Sequence, residues 1–157
     1  MNQPHTYNTT YQLLHGNTPP TEVTWETSSA DILSPGRGFM AGVDYTMQLQ
    51  VGCPPGCLFC YVSTAARLAP ADVRGKHGAN WGFLVRTKEN VITKLKKALH
   101  KGELADKTIY WSGITDPYTS TPKLTRAVWE TYLETPQEQR PRRIIVQTRF
   151  RPIETPL

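Results

Sequence analysis

Cys53, Cys57 and Cys60 are the only cysteines of the chain, and they fall in one short segment, Gly52-Cys53-Pro54-Pro55-Gly56-Cys57-Leu58-Phe59-Cys60-Tyr61. The spacing is C-x-x-x-C-x-x-C. A disulfide framework would leave one thiol over and close almost no chain, so thiols this close read as metal ligands or redox groups. Gly52 and Gly56 let the backbone fold round one centre, and three thiolates can then face a single iron cube. Backbone amides of such a loop donate to cluster sulfurs, and Leu58, Phe59 and Tyr61 would screen it from water. Three protein ligands leave the fourth iron of a 4Fe–4S cubane open to a small molecule. Structural zinc is the rival. It prefers four ligands, and here would need His77 or His100 to complete the set. Three unmetallated thiols are the remaining reading.

A second polar segment, Ser112-Gly113-Ile114-Thr115-Asp116-Pro117-Tyr118, offers hydroxyls, a carboxylate and a glycine that permits close backbone approach. Asp116 ahead of Pro117 is also what a plain turn or helix cap requires. Arg126 fits an anion contact or an ion pair with Glu130 one helical turn on. Arg140, Arg142, Arg143, Arg149 and Arg151 fit either a phosphate backbone or a solvated strand edge.

The elements that must position these groups are readable from periodicity. Tyr45 to Val51 alternates apolar and polar residues, the period of a strand with one buried face, and runs into Gly52. A short helical piece follows over Val62 to Leu68, then loop over 69–80 and a short strand over 83–87. Glu89 to His100 places Val91, Leu95 and Leu99 four apart, an amphipathic helix closed by Gly102. Thr108 to Trp111 is a strand, Leu124 to Leu133 a helix, and Arg143 to Gln147 a third strand. The order strand–helix–strand–helix–strand, with connections long enough for crossovers, predicts parallel strands with outer helices, the α/β class. Ligand sites of such sheets lie at the carboxyl ends of the strands. The cysteine loop and the Ser112–Tyr118 loop are therefore expected as neighbours on one rim.

Cys53-x-x-x-Cys57-x-Phe59-Cys60 after a strand resembles the cluster signature of the radical S-adenosylmethionine (SAM) superfamily. Lys88 and Asn90 before a helix, Thr115-Asp116-Pro117-Tyr118 after a strand, Leu124-Thr125-Arg126 opening a helix and Thr148 after a strand are similar to the spore photoproduct lyase branch, in the same order. The likeness covers roughly residues 40–150. It implies the N-terminal half of a partial (βα)6 barrel holding a 4Fe–4S cluster on Cys53, Cys57 and Cys60, with SAM on the open iron. One electron from the reduced cluster then cleaves SAM to methionine and a 5′-deoxyadenosyl radical, which takes a hydrogen atom from the substrate. By position, Ser112, Gly113, Thr115 and Asp116 approach the methionine end of SAM, though the usual Gly-Gly-Glu form is absent. Tyr61 stands where the family places an aromatic near the adenine, or else packs against the cluster loop. Arg149 replaces a common lysine, keeping the charge but changing the donor geometry. The resemblance also implies a flavodoxin- or ferredoxin-type one-electron reductant.

A core of this kind needs about six βα units, so the chain is expected to be either a truncated radical SAM core or one whose barrel a partner chain completes. The alternative is a non-catalytic 4Fe–4S-binding fragment, in electron transfer or inactive. The net charge of +5 is uneven. Residues 1–40 carry −2 and positions 41–157 carry +7, from 17 basic against 10 acidic residues. That balance suits an anionic partner such as nucleic acid, or simply solvated faces. No run approaches the roughly 18 apolar residues of a membrane span, and the first residues lack a secretory pattern, so a cytoplasmic location is expected. Residues 1–40 read as a polar, loosely packed leader, 41–150 as the core and 151–157 as a tail.

Overall fold

The computed structural model describes residues 22–26, 31–53, 57, 59–65, 67–69, 71–74, 81–88, 90–111, 113–118 and 122–149. Their strands are β1 (Glu22–Glu26), β2 (Leu33–Pro35), β3 (Tyr45–Met47), β4 (Gln50–Val51), β5 (Leu84–Lys88), β6 (Thr108–Trp111) and β7 (Arg143–Val146). The α-helices are α1 (Ala71–Arg74), α2 (Val91–His100) and α3 (Pro122–Glu134). The chain divides into two compact units, Met1–Glu26 with Gln50–Thr87, and Thr27–Leu49 with Lys88–Leu157.

The second unit is α/β, with a mainly parallel sheet in the order β2-β3-β6-β7. β3, β6 and β7 run parallel, with Met47 beside Trp111 and Trp111 beside Val146. β2 lies antiparallel on β3. Residues of one strand face alternate with those of the other. Met47, Ile109 and Trp111 are buried, with Tyr45, Ile144 and Val146 packed beside them. Val91, Leu95, Ala98 and Leu99 of α2 and Leu124, Val128 and Tyr132 of α3 close over this face. The alternate positions Thr46, Tyr110 and Ile145 are only half-buried. Both helices thus cover one face of the sheet. Burial raises the pKa of the Tyr132 phenol, whose hydroxyl contacts Met47 Sδ at 3.6 Å.

Local chemistry explains the element ends. The backbone N–H of Gly102 donates to Leu99 O, and that of Glu103 to Ala98 O. Together they make the paired bonds of a Schellman stop, with Gly102 at φ 70° in the left-handed region. α3 opens on Pro122, whose missing N–H has no partner to lose in a first turn. At the start of β6, Asp44 Oδ2 accepts from the Thr108 N–H at 2.8 Å, and Asp44 N donates to Thr108 O at 3.0 Å.

The first unit holds a three-stranded sheet ordered β1-β5-β4, in which β4 and β5 are antiparallel. Val62, Ala69, Val73, Trp81 and Val85 are buried. Arg86 on β5 pairs with Asp72 on α1.

Several expectations change. The strand expected over 45–51 is two strands, because pairing moves: β3 lies between β2 and β6, whereas β4 lies on β5. The sheet is not wholly parallel, since β2 joins it antiparallel. Within the leader expected to pack loosely, β2 is paired and Ile32 is 3% exposed, in the same core as Met47. The helix expected over Val62–Leu68 is a 3-10 turn at Tyr61–Ser63 followed by further turns, and α1 stands inside the expected 69–80 loop. The tail, 151–157, lies outside the described residues.

Candidate functional site

The cysteine loop follows β4 in the first unit. Gly52 begins it at φ 90°, and a Cβ there would lie 2.2 Å from Leu84 O, so only glycine fits. Gln50, 3% exposed, donates from Nε2 to Gly52 O at 3.4 Å. Cys53 is buried, while Cys57 and Cys60 are half-buried. The N–H of Cys60 donates to Cys57 O at 2.9 Å, closing a turn between the two cysteines. Cys60 O then accepts from Ser63 Oγ at 2.7 Å and from Ser63 N at 3.3 Å, which fixes the exit of the loop. Phe59 is 76% exposed and Tyr61 59% exposed, so the apolar cover expected of them is not in place. Gly56, Leu58 and His77 lie outside the described residues.

The donor chemistry of this loop suits a soft metal centre: three thiols, none in a disulfide, on one turn-bounded segment. Among the described residues no three His, Cys, Asp or Glu side chains are gathered as a metal site. Holding a cluster therefore requires the three thiols to turn toward one centre. His100, the zinc alternative, is exposed at the end of α2, in the other unit.

The second unit presents its own rim, where β3, β6 and β7 end. Asp116, in the loop after β6, is bonded to the segment after β7. Thr148 Oγ1 donates to both its carboxylate oxygens, at 2.8 and 2.9 Å, and the Arg149 N–H donates to Oδ2 at 2.8 Å. The Tyr118 N–H donates to Oδ1 at 3.0 Å, the turn expected of Asp116 ahead of Pro117. One carboxylate thus clasps two rim loops. α3 holds the same loop from below: the Thr125 hydroxyl donates to Pro117 O, and Trp129 Nε1 donates to Tyr118 Oη at 2.9 Å. Trp129 in turn packs at 5.5 Å between ring centroids on Trp111 of β6.

Thr115 is buried, and its hydroxyl donates to Gln48 Oε1 at 3.5 Å. A Cβ on Gly113 would lie 2.9 Å from Gln48 Nε2. Gln48, one residue past β3, is the rim residue that sequence reasoning missed, since its place in the alternation marks it only as a polar outward position. Its backbone N–H donates to Ile32 O at 2.8 Å. Ser112 lies outside the described residues.

Of the residues expected to contact SAM or an anion, Asp116 is joined to Thr148 and Arg149 across the rim, with Gly113 and Thr115 in the same loop. Arg126 is exposed on α3, and the expected pair with Glu130 is not among the ion pairs of the described residues. The expected arginine cluster is divided between opposite ends of the sheet. Arg142 and Arg143 stand where β7 begins, and Arg142 bonds Thr108 Oγ1 at 3.4 Å and pairs with Asp106 at 3.9 Å. Arg140 caps α3 through Thr135 O at 2.6 Å and Leu133 O at 2.7 Å. Arg149 lies at the far end, after β7, and Arg151 is outside the described residues. Lys88, quoted above for its position before a helix, is 7% exposed and donates from Nζ to Asp31 O at 2.9 Å.

Among the described residues no helix is long and apolar enough to cross a membrane. Compared with protein-family models, characterised proteins and solved structures, the chain matches none.

Proposed function

We propose that this chain is a radical SAM iron–sulfur protein related to spore photoproduct lyase, contributing three parallel strands of a partial (βα)6 barrel. The observation that carries the reading is the C-x-x-x-C-x-x-C set of thiols on a loop that leaves a strand through a glycine-only position. Two further features support it. α2 and α3 cover one face of the parallel sheet and leave a half-buried alternate face, as a barrel wall requires. The loops after β6 and β7 are tied together at the carboxyl ends, where α/β sheets bind ligands.

In this reading Cys53, Cys57 and Cys60 would hold a 4Fe–4S cluster and leave one iron for SAM. When held there, such a cluster would supply the electron for reductive cleavage of SAM to methionine and a 5′-deoxyadenosyl radical. The chain's own residues hold and position. Gly52 lets the cysteine loop leave β4 at its required angle, and the Cys57–Cys60 turn sets the spacing of two thiols. Asp116 fixes the rim loops of the parallel sheet through Thr148 and Arg149. A one-electron reductant of flavodoxin or ferredoxin type and a cytoplasmic location belong to the same proposal. Nucleic acid is the substrate class nearest the resemblance, and fold kinship alone does not choose it.

The test is anaerobic incubation of iron- and sulfide-reconstituted protein with dithionite and SAM. Formation of 5′-deoxyadenosine that is lost in Cys57→Ala supports the radical reading. A stable cluster without 5′-deoxyadenosine leaves the 4Fe–4S-binding fragment as the better description, and zinc with no cluster overturns both.

A further inference from the structure

We propose that Cys57 and Cys60 form a reversible disulfide in the metal-free chain while Cys53 stays a thiol, so that the cysteine loop carries a redox-sensitive site of its own. The turn between them is the first observation. The Cys60 N–H donates to Cys57 O at 2.9 Å, which closes a turn with a cysteine at each end. Such a turn holds its first and last Cα atoms within about 7 Å. Disulfides span Cα separations of about 4.4–6.8 Å, so closure asks for side-chain rotation rather than a refolded loop. Ser63 keeps the exit of the turn in place, donating to Cys60 O from Oγ at 2.7 Å and from N at 3.3 Å.

Exposure divides the three cysteines in the same way. Cys53 is 8% exposed, whereas Cys57 and Cys60 are half-buried, and burial slows a thiol's reaction. Phe59, inside the turn, is 76% exposed, so the turn stands where a small oxidant reaches it. Cys53 is not gathered with the other two in a three-ligand group. The oxidant is a small-molecule disulfide such as oxidised glutathione. One cysteine thiolate attacks a glutathione sulfur, forming a mixed disulfide and releasing one glutathione thiolate. The second cysteine thiolate attacks the protein sulfur of that bond, closes Cys57–Cys60 and expels the other glutathione. Two protein thiols are oxidised, the S–S bond of glutathione is reduced, and the two protons pass to the released thiolates. A disulfide on an exposed turn is of the kind that thiol reductants reopen. No part of this step needs SAM or iron. On the cluster reading, the bond withdraws two of the three ligands, so iron uptake would wait on its reduction.

The experiment equilibrates the metal-free chain in glutathione buffers from fully reduced to fully oxidised and quenches each sample in acid. Thiols are alkylated in denaturant, the disulfides are then reduced, and the newly released thiols take a second label. Tandem mass spectrometry reads which cysteine carries which label. Expected at the oxidised end is a loss of two hydrogens from the intact mass, with the first label on Cys53 and the second on Cys57 and Cys60. The glutathione adduct should stay below about one-tenth of the oxidised protein, because the closing step is intramolecular. In Cys60→Ser, which has no closing thiol, the adduct should rise about tenfold or more. The labelling of wild type carries the test by itself if that variant folds poorly. Three thiols retained throughout the series, or a bond that includes Cys53, overturns the inference. Iron uptake by oxidised and by dithiothreitol-reduced protein then separates the inference from the cluster reading. Uptake restored on reduction supports both, whereas uptake indifferent to the bond leaves the disulfide standing and removes Cys57 and Cys60 from the ligand set.

Discussion

Replacing Asp116 by alanine removes the acceptor of four short contacts at once: two from Thr148 Oγ1 and one each from the Arg149 and Tyr118 amides, all between 2.8 and 3.0 Å. A hydrogen bond to a charged group contributes about 1.5–3 kcal/mol, and a partner left buried and unpaired costs about 1–3 kcal/mol. Here Asp116 and Thr148 are half-buried and Arg149 is exposed, so the released donors recover part of that energy from water. The expected loss for Asp116→Ala is therefore about 2–3 kcal/mol rather than the sum of its bonds. Asp116→Asn keeps one acceptor oxygen and the side-chain shape, and should lose about half as much. Thr148→Val removes the hydroxyl that spans both oxygens and should cost about 1 kcal/mol. The double variant should be less destabilised than the two singles added, by about 1 kcal/mol, because one bond cannot be lost twice. Urea unfolding followed by tryptophan fluorescence measures all four proteins, with Trp111 and Trp129 reporting from the core under the clasp. A change below about 0.5 kcal/mol for Asp116→Ala, the level of an ordinary surface substitution, would refute the clasp. Strict additivity of Asp116→Ala and Thr148→Val would refute the bond between them.

Gly52→Ala places a Cβ against Leu84 O in a backbone conformation that alanine avoids. It should destabilise the protein by about 2 kcal/mol or more and lower iron uptake, measured by urea unfolding and by iron analysis after reconstitution. Leu95→Ala opens a cavity in a fully buried site between α2 and the sheet. A loss of about 2–5 kcal/mol in the same unfolding assay is expected. Each of Cys53→Ala, Cys57→Ala and Cys60→Ala should abolish a stable 4Fe–4S cluster, read as loss of visible absorbance and of iron after desalting. Full iron retention in any one would remove that cysteine from the ligand set.

Helices α2 and α3 and strands β6 and β7 were legible because each carries a clear apolar pattern. Val91, Leu95 and Leu99 recur on one side of α2, and the apolar runs of β6 and β7 stand between clear breakers. Periodicity says nothing about which strand is the neighbour, and this is why Tyr45 to Val51 reads as one strand. The alternation persists through Gln48 and Leu49 while the hydrogen-bond partner changes from β6 to β5. β2 was hidden for a related reason: Leu33–Pro35 is too short to show a period, and its place comes from pairing with β3. At the candidate site, the thiols were legible by residue type and spacing. The clasp was not, since Asp116 and Thr148 stand 32 positions apart and neither residue type demands the other. Gln48 was concealed by its own regularity, a polar residue where the alternation asks for one.

Electron paramagnetic resonance of the anaerobically reconstituted and reduced protein, with and without SAM, tests the central proposal most directly. A reduced 4Fe–4S signal whose shape changes on adding SAM is expected, because in the proposed reading Cys53, Cys57 and Cys60 would leave one iron open to it. A cluster signal indifferent to SAM, or bound zinc with no cluster, would contradict it.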